Sequence, residues 1–241
     1  MGDVDQSTDF VRSARALEPD RYLAALLAPR AARDDLVLLA AFLAEIGLVP
    51  AIATEPLLGE IRLRWWLDAI DGSAAGGRTG HPLADALGET ARRRRLDTGL
   101  LAAAVEARMA EVGRGIGDAA AVRAHVAARE EVAFRLAARI LGVAEGPPAD
   151  GALAGAGRAY GLMRLADDGG AEKHEIVRAA GAALAELREN QAEFAHGLVA
   201  AILPCALVEP HLRALEGSAG RGVSPLRRAW ALWRAHRRKR I

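Results

Sequence analysis

Helical periodicity is the feature that most constrains the fold of this chain. Apolar residues recur three and four positions apart along most of it, and alanine and leucine fill much of its apolar content. Both residues favour helices, whereas the β-branched residues that favour strands are sparse. No run of alternating apolar and polar residues is long enough to predict a strand. The sequence therefore predicts an all-α fold.

The predicted helices are separated by segments rich in glycine and proline. Gly47 and Pro50 are expected to end the first long helix, and the clearest loops are residues 72–81 and 216–224. We predict helices at 9–17, 21–28, 32–47, 56–70, 82–95, 97–113, 118–142, 149–166, 173–200 and 204–215, and from Pro225 into the basic tail. No internal repeat is visible, so we predict one domain over residues 1–241.

Charge and motif content argue against several classes of protein. The formal net charge is +1, which does not favour binding to a polyanion, and we expect no nucleic-acid partner. The single Cys205 excludes an internal disulfide and is best interpreted as a small buried thiol. The histidines lack zinc-site spacing, no serine lies in a G-x-S-x-G frame, and neither glycine-rich loop resembles a phosphate cradle.

The start of the chain gives an expectation about location. Its first ten residues are acidic and polar, without the basic and apolar regions of a signal peptide. The longest apolar run, Leu36 to Ala44, is about half the length that a membrane span needs. A single cysteine also suits a reducing compartment. We therefore expect a cytoplasmic protein.

Residues 55–70 carry the strongest local pattern. On a helix, Leu58, Arg62 and Trp66 share one face because they lie four positions apart. Trp65 lies on a different face, about 100° away from Trp66. Two interpretations remain open. Either both tryptophans pack in the core beside surface ion pairs, or they form an aromatic wall that lines a helical cavity.

Several segments resemble the squalene/phytoene synthase family, whose members are all-helical prenyl transferases. The similarity lies in residues 20–23, 36–45, 56–66, 130–142, 157–165 and 225–240. It is most specific in the stretch Pro56 to Trp66. The resemblance implies an isoprenoid-synthase-like helical bundle with a central cavity. The cavity or binding residues that it implies here are Arg21, Tyr22, Glu45, Arg62, Trp65, Trp66, Tyr160 and Arg164.

The aspartate clusters of that family are degraded in this sequence. Family members use two such clusters to bind Mg²⁺, which takes up the charge of the departing diphosphate. The places of the first cluster hold Gly47, Leu48 and Ala51, so we predict no metal ligand there. Asp168 and Glu172 fall on the second cluster and are the weak catalytic candidates, although a solvated helix-to-loop junction is the favoured interpretation. No cofactor is expected, and Mg²⁺ only if the chain is an active prenyltransferase.

Charged groups elsewhere have simpler interpretations. The pair Asp34-Asp35 is expected to lie at the start of a helix, where carboxylates complement the dipole. The run Arg92 to Arg95 is expected to end a helix, where cations complement the negative end of the dipole.

The terminal helix combines basic and aromatic residues. Such a helix can lie on an anionic membrane surface, although the tryptophans could instead pack on the domain. The membrane-surface candidates are Arg227, Arg228, Trp230, Trp233 and Arg234. This pattern predicts peripheral association with the inner membrane face.

The pattern of lost aspartates resembles a non-catalytic branch of the family, which includes an assembly factor for respiratory complex I. The resemblance implies a protein partner in respiratory-complex assembly, or an isoprenoid or lipid ligand that is bound without turnover. The alternative is an active prenyltransferase that condenses isoprenoid diphosphates with a rebuilt metal site.

Overall fold

A computed structural model describes residues 3–53, 55–113, 115–144, 146–167, 172–191, 194–217 and 222–241, with the backbone alone at 3–9 and 196. Helices connected by turns and loops make up these ranges, and no β-strand occurs in them. The prediction of an all-α fold is therefore confirmed. The chain divides into two compact units, Met1–Gly117 and Asp118–Ile241. The single domain over 1–241 stays a prediction.

The first unit is built around one long central helix. Its helices are α1 (Asp3–Leu17), α2 (Pro19–Leu27), α3 (Arg30–Ile52), α4 (Pro56–Ala74), α5 (Pro82–Arg94) and α6 (Thr98–Met109). The other five helices all contact α3. Residues 35–44 of α3 are buried without interruption, which suits a helix that is covered on all sides.

Helix α3 corrects two expectations. It runs through Pro50 to Ile52, although Pro50 was expected to help end the helix at Gly47. Pro50 lies within the last turn, and buried Ile46 and Val49 hold that turn against the unit. The complete helix is also long and apolar enough to cross a membrane, unlike the shorter run predicted from sequence. Two thirds of its most apolar window is buried, as expected for a core helix.

Helix α4 places the two adjacent tryptophans in different environments. Its buried residues lie on one side of the helix, because they recur at helical spacing; they are Gly59, Leu63, Trp66, Ala69, Ile70 and Ser73. Trp66 is only 3% exposed, whereas Trp65 is 39% exposed. The prediction that they occupy different faces is confirmed.

The second unit is organised around α8. Its elements are α7 (Ala119–Ile140), α8 (Pro147–Asp167), α9 (Lys173–Glu189), α10 (His196–Ala201), a 3-10 helix (Leu203–Leu207), α11 (Val208–Glu216) and α12 (Pro225–Arg238). The predicted continuous helix 173–200 is wrong, because α9 ends at Glu189 and α10 begins at His196. The predicted start of a helix at 204 is also wrong, since a 3-10 turn precedes α11.

Helices α7 and α8 approach each other closely at two glycines. A Cβ atom on Gly157 would lie 2.6 Å from the carbonyl oxygen of Ala127. A Cβ atom on Gly161 would lie 2.6 Å from the carbonyl oxygen of Val126. Only glycine allows this backbone-to-backbone contact, which positions the helix that carries Tyr160 and Arg164.

Candidate functional site

Four aromatic rings from α3, α4 and the start of α5 form a cluster in the first unit. Trp66 packs edge-on against Phe42, with 5.2 Å between ring centroids, and Trp65 lies at the same distance from Trp66. The His81 ring lies 5.1 Å from Trp65 and 5.6 Å from Trp66. Edge-to-face geometry of this kind adds to the stability that burial alone provides. The cluster therefore fixes His81 against α4.

His81 is held by its position as the N-cap of α5. Its Nδ1 accepts a hydrogen bond from the backbone N–H of Ala84 at 3.4 Å. The other ring nitrogen, Nε2, lies 3.4 Å from Oε1 of Glu45. The local pattern of residues 55–70 did not identify His81, because His81 lies fifteen positions after Trp66. The His81-Pro82 pair, a cap before a proline at the first helical position, was the available signal.

Glu45 is the acidic member of this group. Burial raises the pKa of its carboxyl group, and the nearby charges of His81 and Arg62 offset only part of that effect. Glu45 and His81 both line a cavity of about 280 Å³, together with Phe10 and other residues of the first unit. The cavity therefore presents a carboxyl group with a raised pKa beside an imidazole ring. Of the predicted binding residues, Glu45 lines this cavity, whereas Trp65 and Trp66 contact the ring of His81 and the charge of Arg62 lowers the pKa of Glu45.

Gly47, where the resemblance predicts the first aspartate of the family, lies against a cation in this chain. A Cβ atom on Gly47 would be 3.1 Å from Nη2 of Arg108. Arg108 is buried, and its Nη1 donates to Oε2 of Glu111 at 2.8 Å. The neighbouring positions Leu48 and Ala51 are exposed and offer no side-chain oxygen. These residues do not fit Mg²⁺, because the ion needs oxygen ligands and a guanidinium group would repel it.

Arg21 and Tyr22 have other environments. Arg21 is buried and donates from Nη1 to Oε2 of Glu18 at 2.8 Å. Tyr22 lines a different cavity of about 390 Å³, which Asp35 and Arg93 also line. Arg21 therefore belongs to a buried ion pair, and the residues lining the cavity of Glu45 do not include Tyr22.

Asp35 forms a buried charge network that the sequence did not reveal. Arg93 binds it with both terminal nitrogens, at 2.6 and 3.1 Å, and Nε of Arg94 donates at 2.7 Å. Burial raises the pKa of Asp35, but the hydrogen bonds and charges of the two arginines lower it by a larger amount. The pKa of Asp35 is therefore below its ordinary value. The prediction that Asp34-Asp35 lies at a helix start is wrong for both residues, since the first turn of α3 holds no acidic side chain. Only Asp34 is exposed, and α3 begins earlier, at Arg30.

The arginine run of α5 both ends the helix and makes contacts with other helices. The run does end α5, as predicted, with Arg95 as its C-cap. Arg92 also donates to the backbone oxygen of Ser73 at 2.8 Å. The missed signal was the register of Asp35 on α3, since it lies three positions after buried Ala32 and four before buried Leu39.

The predicted residues of the second unit belong to its core and to an ion pair. Tyr160 is buried, and its ring packs edge-on against Phe134 at 5.7 Å. Arg164 lies 3.9 Å from Oε1 of the buried Glu130, to which Arg129 also donates at 3.0 Å. Tyr160 therefore acts mainly in packing, whereas Arg164 compensates a buried carboxylate.

The second acidic cluster is described only in part. Asp168 lies outside the described residues. Glu172 is exposed, and its Oε2 lies 3.5 Å from Nη1 of Arg123, which also pairs with Glu175 at 2.8 Å. Within the part of the chain that the structure describes, no three histidine, cysteine, aspartate or glutamate side chains group to hold a metal.

The terminal helix begins as predicted, since Ser224 caps α12 and accepts from the backbone N–H of Arg227 at 3.4 Å. Trp230 and Trp233 are 55% and 51% exposed, so neither is packed inside the unit. The guanidinium group of Arg234 lies 4.7 Å from the ring centre of Trp230. Arg228 is half-buried and donates to the backbone oxygen of Val223 at 3.1 Å.

Comparison with known proteins identifies the family. The family model for squalene/phytoene synthases matches residues 14–173, about two thirds of the chain. No curated protein matches the chain. The match includes the aromatic cluster, Glu45, Gly47, Tyr160 and Glu172, and it ends at the start of α9. The all-helical structure agrees with the isoprenoid-synthase-like fold of that family. The chain belongs to the squalene/phytoene synthase family.

Proposed function

We propose that this chain is a non-catalytic member of its family. The observation that carries the proposal is the guanidinium group of Arg108 beside Gly47. In a catalytic member, a carboxylate at this position would bind Mg²⁺ and the metal would stabilise the diphosphate leaving group. Here the position has no side chain, and a buried cation lies within contact distance of the space that one would fill. The arrangement is unsuited to assembling a divalent metal.

The role that we propose is assembly of a respiratory complex at the inner membrane face, through a protein partner. The second candidate is binding of an isoprenoid or lipid without turnover. It is favoured by a group of exposed apolar side chains on α4, because single scattered apolar residues are usual on a protein surface and a group of them is not. These side chains are Leu57, Leu58, Ile61 and Trp65.

A complementation experiment separates the assembly role from catalysis. The gene is deleted in the organism of origin, and assembled respiratory complex I is measured on native gels. The wild-type chain and a double variant, Asp168→Ala with Glu172→Ala, are then supplied separately. The double variant removes the acidic residues that a rebuilt metal site would need. Loss of the ion pair from exposed Glu172 should cost little stability.

We expect the deletion to lower the amount of assembled complex, and both chains to restore it equally. Restoration by the wild type alone, at equal protein abundance, would support the prenyltransferase alternative. An unchanged complex after deletion would contradict the assembly role.

A further inference from the structure

The second unit contains a basic groove that lies beyond the region matched by the family model. It is formed by α9, α11, α12 and the residues after α12, and its volume is about 440 Å³. Volumes in this range are typical of small-ligand sites. Six arginines line the groove: Arg188, Arg213, Arg227, Arg234, Arg238 and Arg240.

The charge in this groove is poorly compensated by its own lining. The backbone oxygen of Ile241 accepts from Arg188 at 3.2 Å, and Glu209 is the one acidic side chain among the described lining residues. It already binds two of the arginines, because Arg188 donates to it at 3.0 Å and Arg213 also donates to it. The remaining four arginines come from α12 and the segment after it. Like charges that line one groove repel one another, and an anion bound among them would relieve that repulsion.

The arrangement on α12 indicates which kind of anion the groove suits. Arg227, Arg234 and Arg238 follow helical spacing and lie on the side of α12 that faces the groove. One planar guanidinium group can donate two parallel hydrogen bonds to the oxygens of a phosphate. Several guanidinium groups can surround one phosphate group. The geometry therefore favours a compact phosphate over a single carboxylate.

An apolar stripe beside the groove indicates the source of the phosphate. Leu226 is 86% exposed, and helical spacing places it on one side of α12 with Trp233 and with Trp230, which also lines the groove. Exposed tryptophan and leucine next to clustered arginine are typical of helices that lie at a bilayer interface. We propose that the groove binds the phosphate headgroup of an anionic lipid while this stripe enters the headgroup region. This inference is independent of whether the chain transfers prenyl groups.

The test compares two variants that remove arginine charge in different places. The groove variant is Arg234→Gln, on the side of α12 that faces the groove, where the guanidinium group lies 4.7 Å from the ring centre of Trp230. The control is Arg237→Gln, on α12 but outside the groove lining, where the guanidinium group lies 5.7 Å from the ring centre of Trp233. Binding is measured by flotation with phosphatidylcholine vesicles, with and without phosphatidic acid. Circular dichroism verifies that each variant remains helical.

We expect the wild-type protein to bind only the vesicles that contain phosphatidic acid. One arginine near an anionic surface changes affinity by about fivefold, so the control should lose about that much. The groove variant should lose more, at least about 25-fold, because Arg234 also donates charge-assisted hydrogen bonds to the phosphate itself. Equal losses for the two variants would show general attraction to the surface and would overturn the groove as a site.

A soluble arm distinguishes a lipid from a free anion. Inorganic pyrophosphate is titrated into the wild-type protein by calorimetry and is also added to the flotation assay as a competitor. Competition with the vesicles would support the proposed headgroup site. Pyrophosphate binding without any vesicle binding would overturn the lipid assignment in favour of a soluble phosphate ligand.

Discussion

Gly161→Ala tests the close packing of α7 and α8 that supports the second unit. The added Cβ would lie 2.6 Å from the carbonyl oxygen of Val126, whereas ordinary contacts begin near 3.4 Å. The helices must therefore separate locally by roughly 0.8 Å, since a backbone atom cannot rotate away. Overpacking of this kind costs about 3 kcal/mol at the upper end of its range. The intrinsic helix preference of alanine returns about 1 kcal/mol, so the net loss is about 2 kcal/mol.

Gly151→Ala is the matched control on the same helix. A Cβ atom there would have no neighbour within 4 Å, so the variant should gain up to about 1 kcal/mol. Urea unfolding followed by circular dichroism measures both free energies of unfolding. The two variants should move in opposite directions and differ by about 3 kcal/mol. If Gly161→Ala is as stable as Gly151→Ala, the close approach of the two helices is wrong.

Two further predictions concern the first unit. Trp66→Ala should destabilise the chain by about 3–5 kcal/mol in chemical unfolding, because its ring is almost completely buried. Trp65→Ala should cost about 2–3 kcal/mol, since 39% of that residue is exposed; equal losses would contradict the difference in burial. Asp35→Asn should destabilise the chain at pH 7, and the difference from wild type should shrink as the pH falls below about 3.9. That sign follows because the folded state lowers the pKa of Asp35, and a difference that grows in acid would contradict it.

The sequence predicted the helices because apolar residues recur three and four positions apart within each of them. It failed where a local signal opposed tertiary packing. Pro50 suggested the end of a helix, but buried Ile46 and Val49 keep the last turn of α3 helical. The predicted helix 173–200 was wrong because its period does not show the break after Glu189.

The candidate sites were predicted only where their residues are close in sequence. Trp65 and Trp66 were found from their own segment. His81, Arg108 and Asp35 were missed because their partners lie on other helices, and only folding brings them together. The same reason applies to the basic groove, in which arginines of α9 and α11 join those of the predicted terminal helix.

A single-turnover experiment tests most directly whether this family member is non-catalytic. The protein is held in excess over isotopically labelled farnesyl or geranylgeranyl diphosphate, with Mg²⁺ and a nicotinamide reductant. An active family member and heat-denatured protein serve as the controls. Because Arg108 lies where the first metal ligand would be needed, all label should stay in the diphosphate fraction. Transfer of label into an apolar hydrocarbon product, above the heat-denatured control, would contradict the account.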